Sequence, residues 1–213
     1  MKIPIIYEDE NIIIIDKPAG LLVHPTSKKE RNTLIDYFPN ARLAHRLDKD
    51  TSGLLILAKN EKTNDWLKSQ FKNRQIKKRY ITLVHGSLKD KTGIITKTIS
   101  RSRKRGGSQT TAPIGKRREA ITRYRVLKEF ENYTYLEVSP ETGRTHQIRV
   151  HLASIGHPIA GDEKYKFKRQ LTPEELKRQF LHASYLKFSL PNGKVKKFHL
   201  NLPKDLEKIL KNL

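Results

Sequence analysis

The sequence predicts an α+β domain built on a mixed, mostly antiparallel sheet flanked by helices and loops, and three observations carry that expectation. Apolar runs of strand length, such as Ile12 to Ile15 and Leu54 to Ala58, recur along the chain. Several are joined in pairs by short polar turns, as hairpins are. Helical patterns are few and stand between the strands rather than alternating with them regularly. With 213 residues, 36% of them hydrophobic, the chain can bury one normal core, and no repeat or linker divides residues 1–213.

The elements follow in order. Tyr7 to Asp16 and Leu21 to His24 read as strands around Lys17-Pro18-Ala19-Gly20, where Pro presets the backbone and Gly permits positive φ. A short helix covers Arg31 to Phe38. Gly53 to Ala58 is a strand, and Asn60 caps a helix reaching Asn73, with Trp66, Leu67, Gln70 and Phe71 as its inward stripe. Ile76 to His85 and Gly93 to Ser100 read as strands. Arg101 to Arg118 is Gly-rich, basic and without period, which predicts a long loop. Strands resume over Ala120 to Phe130 and Tyr133 to Ser139, joined by Glu131-Asn132. A helix runs from after Thr145 to Ile155, and Pro173-Glu174-Glu175 begin another. Phe180 to Leu190 and Lys194 to Leu200 form a hairpin around Pro191-Asn192-Gly193, and Lys204 to Leu210 close the chain as a helix.

Charge narrows the partners. Lys plus Arg number 44 against 22 Asp plus Glu, a net charge of +22, so the expected partner is a polyphosphate or an anionic membrane. Membrane attachment needs about 20 apolar residues in a row or a strongly amphipathic basic helix. Neither pattern occurs, and Pro4 followed by Glu8-Asp9-Glu10 does not read as a signal peptide. Cysteine is absent, which excludes disulfides and thiolate catalysis and fits the cytosol.

The chemistry concentrates in His45-Arg46-Leu47-Asp48-Lys49-Asp50-Thr51-Ser52-Gly53, a polar turn that sets a carboxylate between cations and runs into an apolar strand. A carboxylate aimed into a basic cleft suits catalysis better than anion binding. Further along stand a Tyr after basic residues, Tyr80, and the segment Thr142 to His151, TGRTHQIRVH. His45, His146 and His151 do not make a metal site, because 146 and 151 lack the i, i+4 spacing of a helical pair and no Cys or carboxylate completes the set.

Together DKPAGLLVHP (16–25), HRLDKDTSGLLILAK (45–59), KKRYITLVHG (77–86), TGRTHQIRVHLASIGHPIAGD (142–162) and FLHASYLKFSLP (180–191) resemble the RluA-type RNA pseudouridine synthases. The resemblance implies a pseudouridine-synthase-like catalytic domain that breaks the N1 to C1′ bond of specific uridines in structured rRNA or tRNA and rejoins the base through C5. No cofactor is implied. Asp48 matches the catalytic aspartate, and attack on C1′, attack on C6 and removal of the C2′ proton all remain open to it. Asp50 falls where the motif varies and reads as a turn residue. Arg149 matches the arginine that pairs with the catalytic carboxylate, and Tyr80 the active-site tyrosine, whose ring can stack on the uracil. Ile148 walls the other side of the base. Arg46 fills the space of a flipped uridine or holds the strand.

Arg144 at a helix start offers a cation to phosphate. Arg101, Arg103, Lys104 and Arg105 in the long loop are expected to track the RNA backbone, with Lys72, Arg74, Lys77, Lys78 and Arg79 as a second patch. Lys166, Leu190 and Thr82 depart from the pattern at positions away from this chemistry. About a dozen residues precede the first motif, so no appended N-terminal RNA-binding domain is expected, and the resemblance suggests a cytoplasmic monomer without an obligate protein partner. A non-catalytic RNA-binding protein on the same fold is the competing reading; it explains the charge but not Asp48, Tyr80 and Arg149 together.

Overall fold

A computed structural model describes residues 2–26, 31–102, 108–112, 115–168 and 170–213. The chain forms two compact units, Met1–Lys78 with Ala183–Asn201, and Arg79–His182 with Leu202–Leu213. Both combine a sheet with a few short helices, so the class is α+β, as the sequence predicts.

The first unit orders its strands β1 (Ile5–Glu8), β2 (Ile12–Lys17), β4 (Ser52–Ala58) and β11 (Leu181–Ser189), with β3 (Arg42–Leu43) on β4 and β12 (Val195–His199) on β11. The expected strand from Tyr7 to Asp16 is two strands. Asp9 splits it by accepting the backbone N–H groups of Asn11 and Ile12, each at 2.9 Å, the local bond that makes Asp a turn former. β2 and β4 are antiparallel, with Ile14 opposite Ile56 and Lys17 opposite Gly53. Every residue of β4 is buried, which is why it reads as a continuous apolar run rather than an alternating one.

Helix α2 (Glu61–Lys72) starts where Asn60 accepts the Thr63 N–H at 2.8 Å. Its Leu67 joins Ile12, Ile14, Leu54, Ile56, Leu186 and Phe188 in the core. Trp66 does not: it is 40% exposed and donates its indole N–H to the Ser189 carbonyl at 3.0 Å, an oxygen that Gln70 also binds at 2.7 Å. The expected strand over Leu21 to His24 is irregular. Its carbonyls at Leu22 and Val23 are taken by the first N–H groups of α1 (Leu34–Tyr37), leaving no partner strand to pair with.

Gly53 explains how β4 and β11 approach. Its φ is +112°, and a Cβ there would fall 2.4 Å from the Ala183 carbonyl oxygen. Gly53→Ala therefore combines backbone strain with overpacking, and a loss of about 3 kcal/mol is expected. Urea denaturation checks this, and an unchanged midpoint would show that β11 moves aside freely.

The second unit orders β5 (Lys77–His85, all but its first two residues), β10 (Tyr133–Pro140), β9 (Ile121–Glu129) and β6 (Thr92–Thr96), while β7 (Ser100–Arg101) and β8 (Gln109–Thr110) form a separate ribbon. All these pairings are antiparallel, and Tyr80 lies opposite Val138. Strand pairing therefore ends at Thr96 and restarts with the Ile99–Arg118 bridge before β7, where the sequence predicts one strand over Gly93 to Ser100. Helix α3 (Gln147–Ser154) packs on β8, β9 and β10, and α4 (Lys204–Lys211) buries Leu206 and Ile209. Pro173-Glu174-Glu175 make a turn, not a helix. Glu175 takes a φ of +66°, a left-handed conformation from which a right-handed helix does not propagate. No helix among the described residues is long and apolar enough to cross a membrane.

Candidate active site

The turn that carries Asp48 is pinned by a lysine whose role the sequence did not reveal. Lys17 is fully buried, and its ammonium donates to the carbonyls of Pro18 at 2.7 Å, Leu21 at 2.9 Å and Lys49 at 2.9 Å. The Gly20 N–H reaches the same Lys49 carbonyl at 3.0 Å, and the Thr51 N–H returns to the Asp48 carbonyl at 3.1 Å. A buried ammonium is costly unless its three protons are bonded. Meeting that demand ties the end of β2 to the residue after Asp48. Leu47 is buried beside it, while the side chains of Asp48 and Asp50 are half-buried on the same turn and engaged by other groups.

His45 anchors the turn from the other side. Its Nε2 accepts the Ile56 N–H at 3.1 Å, so the ring is neutral with its proton on Nδ1. The imidazole stacks on Phe71 with centroids 4.6 Å apart, and the Lys78 ammonium lies 5.6 Å from the Phe71 ring centroid. Burial, and then the Lys78 charge, push His45 down to about 3. Burial likewise pushes Lys78 down to about 8. Below its ordinary value of 6.5 the unfolded chain takes up a proton at His45 that the folded chain refuses. Stability from this group is therefore complete above about 6.5 and declines as pH falls toward 3. His85, pushed down to about 4 by burial, adds in the same direction. His45→Gln is expected to flatten the stability profile between pH 6.5 and 4, which urea titrations at stepped pH would show; an unaltered slope would mean His45 is already protonated in the fold.

Arg46 is exposed, and its guanidinium donates to His24 Nε2 at 3.0 Å. His24, which the motifs give no role at the site, sits 22 residues away in an irregular segment.

In the second unit a polar network sets the start of α3. His146, the residue before the helix, adopts a left-handed φ of +53° and offers no capping side chain. Gln147 takes over: its Oε1 accepts from the Thr142 hydroxyl at 2.6 Å and the Arg144 N–H at 3.0 Å, while its Nε2 donates to Ile121 O and Thr122 Oγ1, both at 3.0 Å. His151 continues the network through Thr122 Oγ1 at 2.9 Å and the Lys97 carbonyl at 3.2 Å. Burial lowers its pKa, so Nε2–H donates to Lys97 and Nδ1 accepts the Thr122 hydroxyl. The histidines that raised the metal question thus serve as fixed hydrogen-bonding groups.

Arg149 projects from this helix and is buried, with Asp162 buried beside it. The pair is bidentate, Nε to Oδ2 at 2.7 Å and Nη2 to Oδ1 at 2.9 Å. Sequence reasoning assigned Arg149 one carboxylate, Asp48, and missed Asp162, although Asp162 closes the quoted segment 142–162. Asp162 Oδ1 also accepts the N–H groups of Lys164 and Tyr165. The Tyr165 ring lies 5.2 Å from the guanidinium carbon, and its hydroxyl meets the Gln109 N–H at 2.8 Å and His146 Nδ1 at 2.9 Å. The arginine is thereby held from two sides in one orientation.

Tyr80 and Ile148 are both buried. Arg144 donates its Nε to the Glu119 carbonyl at 3.1 Å, which fixes its cation beside the helix start. Arg101 is exposed in β7, opposite Gln109. Arg103, Lys104 and Arg105 lie outside the described residues. Of the second basic patch, Lys72, Arg74 and Lys77 are exposed, whereas Arg79 is half-buried and faces Glu137 at 3.4 Å. Asp48 and Arg46 belong to the first unit; Tyr80, Arg144, Ile148 and Arg149 belong to the second.

Residues 11–154 match the model of the RNA pseudouridylate synthase family, a span that includes Asp48, Tyr80 and Arg149. The chain is similar to the RNA pseudouridine synthase YlyB of Bacillus subtilis, 36% identical over 100% of this chain and 73% of the relative. It is also similar to the ribosomal large subunit pseudouridine synthase D of Pseudomonas aeruginosa, 36% identical over 96% of this chain and 70% of that protein. Among solved structures, human RNA pseudouridylate synthase domain containing 4 superimposes with a TM-score of 0.81 at 26% identity, covering 98% of this chain and 92% of the other. The family model and the relatives match over most of the length, and the chain belongs to the RluA-type RNA pseudouridine synthases, which are isomerases.

Proposed function

We propose that this protein converts specific uridines of large-subunit rRNA to pseudouridine, with Asp48 as the essential carboxylate. The observation that supports this most is the Lys17 clamp on the Asp48 turn: burying an ammonium to immobilise one polar turn is an expense that catalysis explains and packing does not. The rRNA assignment follows relatives such as the Pseudomonas aeruginosa protein, named for the ribosomal large subunit; tRNA is the second candidate.

In this reading the uridine leaves its stack at a cost of a few kcal/mol and meets Asp48. Tyr80 stacks on the uracil, Ile148 bounds it, and Arg46 occupies the vacated position in the RNA. Arg149 is the cation assigned to the catalytic carboxylate, and Asp162 holds Arg149 in place. Arg144, Arg101, Arg103, Lys104 and Arg105 bind the phosphates. Incubation of the purified protein with rRNA and tRNA, followed by pseudouridine mapping, tests the assignment. New pseudouridine in large-subunit rRNA supports it, product only in tRNA redirects it, and binding without any product would return the reading to a non-catalytic RNA-binding protein.

A further inference from the structure

The β11–β12 hairpin carries a charge arrangement that the Asp48 turn does not use. Lys187 lies directly opposite Lys197 in the antiparallel register, and two residues along the same face Tyr185 lies opposite His199. Like charges placed directly across an antiparallel pair destabilise it. From Phe180 to Pro203 the sequence contains no Asp or Glu, and among the described residues neither lysine forms an ion pair. Lys196, of opposite parity on β12, is committed elsewhere: its ammonium donates to the Tyr7 hydroxyl at 2.6 Å and sits 4.2 Å from the Tyr7 ring centroid.

Lys197 and His199 are exposed and Lys187 is half-exposed. The His199 ring is backed by Tyr185, itself buried, at 4.6 Å and a 53° tilt, so one aromatic face is held in place beside the two ammonium groups. Two cations at cross-strand separation next to a supported ring match a nucleotide: a phosphate bridges the lysines and relieves their repulsion, and the adjoining base or ribose lies on the ring.

We propose that Lys187, Lys197 and His199 form a second contact for the substrate RNA backbone, separate from the Asp48 turn. The inference rests on the RNA reading above. The start of β4 abuts Ala183 in β11, and Lys187 stands four residues further along that strand, about 13 Å at ~3.3 Å per residue. That spacing corresponds to about four base steps at ~3.4 Å each. The site therefore grips RNA flanking the reacting uridine and contributes to choosing it.

The test compares wild type with Lys187→Gln/Lys197→Gln on fluorescein-labelled large-subunit rRNA fragments and total tRNA, by anisotropy over a salt series. The variant is expected to bind about 5- to 10-fold more weakly at moderate salt and to lower the log–log salt slope by about 1. Its single-turnover rate at saturating RNA should stay within twofold of wild type, and its melting temperature without RNA should not fall. Lys187→Arg/Lys197→Arg should retain wild-type affinity. Affinity and slope indistinguishable from wild type would overturn the proposal, as would a fall in melting temperature or in saturating rate that accounts for the weaker binding. Failure of the enzymatic reading shows separately, as absence of pseudouridine in the wild-type reactions.

Discussion

Asp48→Asn is expected to abolish isomerisation, lowering the single-turnover rate by about 10⁴-fold or more, while folding and RNA affinity stay near wild type. The substitution keeps the shape of the side chain and removes the charge that each candidate first step requires, whether attack at C1′, attack at C6 or removal of the C2′ proton. The fold should tolerate it because the turn is held by backbone groups. Lys17 bonds the Lys49 carbonyl, Gly20 bonds the same oxygen, and Thr51 bonds the Asp48 carbonyl, none of which the amide alters. Asp50→Asn, on the same turn, is expected to keep its rate within a few-fold. Rates on rRNA fragments, with thermal melts alongside, check both; comparable losses for the two variants, or residual turnover above about one per cent in Asp48→Asn, would remove Asp48 from its assigned role.

Asp162→Ala is expected to cost about 3–5 kcal/mol of stability, because it leaves the buried Arg149 guanidinium without its bidentate partner. Replacing both, as Asp162→Leu/Arg149→Met, should recover most of that loss, since an apolar pair of similar volume avoids burying charge. Activity should not recover with it. The double variant is expected to stay at least about 100-fold slower than wild type, because the proposed mechanism assigns Arg149 to the catalytic step. Equilibrium urea unfolding and single-turnover kinetics on the same preparations separate the two quantities. A stable double variant with wild-type rate would make Arg149 a structural residue only.

Much of the fold was legible in advance, for identifiable reasons. The hairpins Ile121–Glu129 with Tyr133–Pro140 and Leu181–Ser189 with Val195–His199 were readable because a short polar turn between apolar runs leaves few alternatives. Helix α2 was readable from Asn60, whose cap is a local bond. The errors fell where a local signal was overruled. Leu21 to His24 has strand composition, but its carbonyls serve α1; Pro173-Glu174-Glu175 has a helix-start composition, but Glu175 turns left-handed. Trp66 looked like core and became a surface latch on Ser189, since amphipathic periodicity ranks apolarity and not hydrogen-bonding reach.

The candidate site divides in the same way. Asp48, Tyr80 and Arg149 are candidates from linear motifs that resemble those of the family, and all three fall inside the span 11–154 that the family model matches. The groups that hold the described parts of the site are not linear features. Lys17 reaches Lys49 across 32 residues, His24 meets Arg46 across 22, and Asp162 meets Arg149 across 13. Lys17 and Arg149 are desolvated donors finding the acceptors that the fold brings nearest, and the exposed Arg46 likewise meets His24 through the fold, so each identity depends on tertiary placement rather than on spacing. The net charge of +22 points to a polyanionic partner, and the linear motifs carry the resemblance to the RNA pseudouridine synthases that the family match bears out. Only the tertiary structure decides which buried partners immobilise its aspartate turn and its arginine, because burial makes an unpaired charge too costly to leave unmatched.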